Sequence, residues 1–145
     1  MGNTLSAAVP QLTSHMMTSA TSPTVLVFGA GSIGAIYAYI LTKAGAQVTV
    51  VCRGNYEAVK SNGFTINSGK YGQSLHISPH VVRSCAEAGK GWDYVLVCNK
   101  AFPGSSPSLS EVIAPAVGSS TTIALLQNGI SIEAEYATRF PSNPL

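Results

Sequence analysis

A chain of 145 residues that is 46% apolar can bury one real core, and suits a parallel sheet covered on both faces. The net charge is only +2, and no Lys/Arg cluster or interleaved aromatics appear, which argues against a nucleic-acid surface. Gly29, Gly31, Ser32 and Gly34 interrupt the longest apolar run, so no stretch reaches membrane-spanning length.

Residues 1–23 are rich in Ser, Thr and Ala and contain no Asp, Glu, Lys or Arg. Neither a helical nor a strand period emerges, and the segment reads as a flexible tail before a single domain over 24–145. It lacks the arginines of a transit peptide and the basic start and long apolar centre of a secretory signal. Met1-Gly2-Asn3-Thr4-Leu5-Ser6 matches the N-myristoylation pattern with Gly2 as acceptor, although the match is short and a plain polar tail is the simpler reading. One acyl chain without a polybasic patch would anchor only weakly.

The domain opens with Thr24-Val25-Leu26-Val27-Phe28, an apolar strand that breaks into Gly29-Ala30-Gly31-Ser32-Ile33-Gly34. In a Gly-x-Gly-x-x-Gly turn the first glycine makes the tight turn and the second lets a pyrophosphate approach the backbone. The third allows close helix–strand packing. The N–H groups and positive end of the following helix then face the phosphates. Ile33, Ile36, Tyr37, Ile40, Leu41 and Ala44 form one apolar stripe of helical period, the face expected to lie on the sheet. Lys43 and Gly45 mark the helix stop. A β-branched strand over 47–52 completes a βαβ unit, with parallel strands and a right-handed crossover.

The residues at the end of the second strand bear on cofactor choice. An NAD-binding protein usually places Asp or Glu there for the ribose 2′-hydroxyl. This chain has Cys52-Arg53-Gly54 and no acid before Glu57. Arg53 offers a planar fork of donors to a 2′-phosphate, and Gly54 leaves room for it. One such bond, at about 1.5–3 kcal/mol, favours NADP by about ten- to a hundredfold. The plainer alternative is a solvated loop arginine.

Farther on, Asn55 or Gly54 caps a short helix over 56–61 that Gly63 ends, and strands over 64–67 and 74–77 form a hairpin. Next come a strand over 80–83 and a buried strand over 92–98, then a helix over 107–116 that Pro115 bends or ends. A strand over 121–126 and a helix over 132–140 close the chain. His15, His76 and His80 have no ligand spacing, so no metal is expected. Cys52, Cys85 and Cys98 are scattered and odd in number, which reads as reduced core thiols in a cytosolic protein. The expected fold is α/β, a Rossmann-type doubly wound parallel sheet in three layers, ordered 3-2-1-4-5 with 25–28 central.

Ligands of such sheets bind outside the carboxyl ends of the strands, near the point where strand order reverses. Asn99-Lys100 follows the fourth Rossmann strand and Gln127-Asn128-Gly129 the fifth, so both point at the crevice of the glycine loop. Each alone is a common loop pair. Together with Gly29 to Gly34 and Arg53, they resemble the amino-terminal half of the ketopantoate reductase (2-dehydropantoate 2-reductase) family over about residues 24–140. The resemblance implies reduction of ketopantoate to pantoate with NADPH, on the cytoplasmic route to pantothenate and coenzyme A. It implies that Gly29, Ala30, Gly31, Ser32, Ile33 and Gly34 cradle the cofactor and that Arg53 binds the 2′-phosphate. Lys100 and Asn128 would line the nicotinamide and the 2-keto acid substrate, with Asn128 contacting both.

The family continues into a helical carboxyl-terminal domain that carries its catalytic lysine, whereas this sequence stops at Leu145. The expectation is an NADPH-binding half that does not turn over alone, with no catalytic residue of its own and an unpaired, aggregation-prone sheet edge. A standalone NADP-binding module and half of another hydroxyacid or opine-type dehydrogenase are the alternatives.

Overall fold

A computed structural model describes residues 21–102 and 104–145. Of the expected tail only residues 21–23 fall in this range, and Gly2 lies outside it. Strand β1 (Thr24–Phe28) is the middle of the sheet, because its alternating side chains are apolar on both faces. Leu26 and Phe28 join one core cluster with Val95, Val97, Ile123 and Tyr136. Val25 and Val27 join the other, with Ala38, Val50, Cys52 and Tyr56. Strands β2 (Gln47–Val51) and β6 (Tyr94–Val97) flank it in parallel, pairing Phe28 with Val51 and with Val97. Strands β5 (His80–Val82) and β7 (Thr122–Leu125) complete the parallel order β5-β2-β1-β6-β7. This is the expected Rossmann order. Strands β3 (Phe64–Ser68) and β4 (Gly72–Ile77) form a separate antiparallel hairpin.

Helix α1 (Ser32–Lys43) crosses from β1 to β2, but its buried face is not the predicted stripe. Gly34, Ala35 and Ala38 are buried, whereas Ile33 is 49% exposed, Tyr37 is 36% exposed and Ala44 is exposed. The reason is distance. A Cβ on Gly34 would stand 1.8 Å from the carbonyl oxygen of Gly29 and 3.3 Å from Val27. Only small side chains fit under a helix held that close, and the large ones are displaced to its flanks.

The remaining helices are short: α2 (Tyr56–Asn62), α3 (Cys85–Ala88), α4 (Leu109–Ile113) and α5 (Glu133–Arg139). Ser108 and Glu111 form a capping box that starts α4 later than expected, and Pro115 lies in a 3₁₀ turn over Ala114–Ala116. The outer edge of β7 departs from the expectation of an unpaired edge. The Ile123 N–H donates to the Pro144 carbonyl at 2.9 Å. Asn143 Nδ2 donates to the Gly118 and Thr121 carbonyls, each at 2.8 Å. The closing segment thus occupies backbone groups that an edge would leave open. Among the described residues no helix is long and apolar enough to cross a membrane, and no group of His, Cys, Asp and Glu could hold a metal.

This packing has two testable consequences. Gly34→Ala is expected to destabilise the fold by about 1–3 kcal/mol, because the new methyl meets backbone that cannot step aside. Urea unfolding of the two chains measures the difference. The second concerns the thiols. Burial pushes Cys52 and Cys85 up to about 11 and Cys98 to about 12, from 9.0. The folded state therefore holds these protons more tightly, so their contribution is complete below pH 9.0 and is lost as pH rises through about 11. The melting temperature should be level up to the ordinary thiol value and fall above it. A melting temperature that rises over this alkaline range would contradict the assignment.

Candidate functional site at the sheet's carboxyl edge

A cleft of about 510 Å³ opens where β1, β2 and β6 end. Residues 29–33 of the glycine loop, Arg53 and Lys100 all line it, with Gly54, Asn55 and Asn99 between them. Gly34 lies beneath, buried, and shapes the cleft without lining it.

Gly29 turns the chain off β1 at φ +112, with its α-carbon against the next loop. A Cβ there would come within 2.7 Å of the Asn99 nitrogen. Gly31 is different. Its φ of −86 suits any residue, and a Cβ on it would meet nothing within 4 Å. Nothing in the protein's own packing requires a glycine there. The space is left to whatever fills the cleft. Gly31 is also the N-cap of α1, with no side-chain cap and no acid in the first turn. The first-turn N–H groups are left for a ligand, and the helix dipole favours an anion.

Arg53 and Lys100 are exposed, and among the described residues neither side chain has a hydrogen-bonded or ionic partner. Glu57, the first acid after β2, is engaged elsewhere. It pairs with Arg83, whose guanidinium lies 3.8 Å over the Tyr56 ring. Arg83 follows β5, on the far side of β2 from β1, so that pair sits away from the cleft.

Two side chains that the sequence does not mark as binding residues tie the loops together. Asn55 sits at the N-cap of α2 but makes no side-chain cap, and its Nδ2 donates instead to the Ala30 carbonyl at 3.2 Å. Gln127 Nε2 donates to the Asn99 carbonyl at 2.8 Å, and Gln127 Oε1 accepts from the Tyr136 hydroxyl at 3.2 Å. Tyr136 is only 2% exposed, and burial, helped by Glu135, pushes its phenol up to about 12. No local pattern signals these contacts, since each joins segments that meet only in the folded chain. Asn128 is exposed and outside the cleft's lining. Side chains alternate along an extended segment, and Gln127 is the one that turns inward at this exit.

A parallel sheet with a glycine loop and an uncapped helix end at its carboxyl edge is the architecture of Rossmann-type oxidoreductase domains. Residues 25–145 match the family described as ketopantoate reductase PanE/ApbA, and the chain belongs to that family. It is 34% identical to an uncharacterized protein of Saccharomyces cerevisiae, over 81% of this chain and 38% of that protein. It is 29% identical to 2-dehydropantoate 2-reductase of Nostoc sp., over 79% of this chain and 35% of that one. The crystal structure of 2-dehydropantoate 2-reductase from Methylococcus capsulatus superposes with a TM-score of 0.74 at 40% identity. That match covers 83% of this chain and 38% of the other. The chain thus spans little more than a third of the length of these relatives.

Proposed function

We propose that this chain is the NADPH-binding part of a 2-dehydropantoate 2-reductase-like oxidoreductase acting on a 2-keto acid, ketopantoate, to give pantoate. One observation carries the reading. An uncapped helix end, an open space above Gly31 and two cations with no partner among the described residues face a single cleft. That set fits a dinucleotide bearing an additional phosphate. The first-turn N–H groups of α1 receive the pyrophosphate, and Gly31 admits it to the backbone. Arg53 takes the 2′-phosphate with a bidentate fork, and no carboxylate lines the cleft to repel it. Bound there, NADPH would supply a hydride for the substrate carbonyl.

Lys100 brings positive charge to the same cleft and suits a substrate carboxylate or a phosphate. Asn128, at the neighbouring exit, is proposed to contact the nicotinamide and the substrate on the strength of the family resemblance alone. Neither is assigned as the proton donor to the forming alkoxide. In the family that proton comes from a lysine of the helical domain, and the present chain is proposed to bind cofactor without turnover. The three free thiols, two of them buried, support a reducing, cytoplasmic setting.

Cofactor choice is measurable by fluorescence titration. NADPH should bind about ten- to a hundredfold more tightly than NADH, and Arg53→Ala should bring the two close together. Gly31→Val should weaken both alike, since it obstructs the pyrophosphate and leaves the fold intact. Equal affinities in the unmodified chain would defeat the NADP assignment.

Activity separates the reductase reading from a binding module. With ketopantoate, residues 1–145 by themselves should oxidise NADPH at no enzymatic rate, whereas the same residues joined to the helical domain of a 2-dehydropantoate 2-reductase should turn over. Positioned acid catalysis alone is typically worth about 10²–10⁴-fold. Robust turnover by the short chain, lost in Lys100→Ala, would show that Lys100 is itself the acid.

A further inference from the structure

The sheet does not stop cleanly at the cleft, and the way it is continued assigns a role to Gln127. Along the β6–β7 seam the Leu126 N–H donates to the Val97 carbonyl at 2.9 Å. Along the β1–β6 seam the Cys98 N–H donates to the Phe28 carbonyl at 2.8 Å. The peptide joining Val97 and Cys98 therefore points its carbonyl toward β7 and its N–H toward β1, as a planar trans peptide must. Asn99 lies at a bend, yet its carbonyl meets Gln127 on the β7 side, so the trans Asn99–Lys100 peptide again sends its N–H the other way. The next rungs would run to the Asn99 carbonyl on the β7 side and from the Lys100 N–H on the β1 side.

Neither rung is made by backbone. On the β7 side, the Gln127 side chain replaces the missing main-chain donor, with Nε2 at 2.8 Å from the Asn99 carbonyl oxygen. On the β1 side, the strand has already turned away at Gly29, and the Ala30 carbonyl is taken by Asn55. Among the described residues the Lys100 N–H has no acceptor. It is a backbone donor on the side of the Asn99–Lys100 peptide opposite Gln127, and Lys100 lines the cleft.

We infer that Gln127 is a positioning residue: it turns the Asn99–Lys100 peptide so that the Lys100 N–H is presented to the bound nucleotide. The inference rests on the NADPH reading above. The Asn99 carbonyl fixes the direction of the amide, and Tyr136 holds its other end. The Asn99 carbonyl can only accept, so the amino end of Gln127 must face it, and the oxygen then receives the Tyr136 hydroxyl at 3.2 Å. Asn99 itself is gripped from the opposite side by the close approach of Gly29. The loop is therefore held by a side chain on one side and by bare backbone on the other.

The test uses the ¹⁵N-labelled 145-residue chain titrated with NADPH. The Lys100 amide resonance is expected to move downfield at saturation. Gln127→Glu puts a carboxylate against the Asn99 carbonyl, and should cost about tenfold in NADPH affinity and abolish the Lys100 shift. Gln127→Met keeps length and removes the donor, and serves in place of the Glu variant should that one fail to fold. Tyr136→Phe retains the Gln127 donor, and should cost affinity only about two- to threefold. A Lys100 amide that stays still at saturation overturns the inference. So does a Gln127 variant that melts earlier but keeps its NADPH affinity within about twofold and its Lys100 shift. Failure of the unmodified chain to bind NADPH is a separate result, which removes the functional reading and this inference with it.

Discussion

The contact on which the rest of this molecule depends is one of backbone with backbone, where α1 passes the end of β1. A Cβ on Gly34 would lie 1.8 Å from the Gly29 oxygen. That proximity brings the start of the helix to the strand it has just left, instead of letting it lift away over a layer of side chains. The small buried face of Gly34, Ala35 and Ala38 is a consequence. The close seating of Gly29 on Asn99 extends the same constraint to the exit of β6. Two glycine contacts therefore gather a helix N-terminus and two strand exits around one space.

Charge around that space is distributed by topology. Arg83 and Glu57 are both exposed, and such surface pairs contribute only about 0–1 kcal/mol to stability. The consequence of the pairing is spatial. It keeps the first acid after β2 with the cation that follows β5, against the buried Tyr56. Arg53 and Lys100 are left facing the cleft with no carboxylate among its lining residues. The resulting field is positive, and so is the end of the α1 dipole.

Helix α5 is joined to α4 by polar contacts. Glu135 accepts from the Ser110 N–H at 2.7 Å, at the start of α4, and Arg139 reaches the Ser110 hydroxyl at 3.0 Å. Arg139 also pairs with Glu111 at 3.0 Å. Tyr136 enters the core between these groups and meets Gln127. The packing of α4 and α5 is thereby linked to the exit of β7. Phe102 and Ile130 remain largely exposed beside the small cavity there.

Much of this is legible in the residues alone, because the signals are local. Val25 to Phe28 is apolar on both faces and breaks into glycines at fixed spacing, and both features act within a few residues. The strand order and the gathering of the glycine loop, Arg53 and Lys100 in one cleft come from βαβ handedness and from the position of each loop at a carboxyl end. The buried face of α1 escapes such a reading for a definite reason: periodicity counts apolar residues, whereas the closeness set by Gly34 selects small ones. Asn55 reads as a cap from its position, and only the folded chain brings Ala30 within its reach. Gln127 and Asn128 are indistinguishable in sequence as polar neighbours at a strand end. Tertiary structure decided which of them turns inward, because the Asn99 carbonyl needed a donor and the hydroxyl of a buried tyrosine was there to hold it in place.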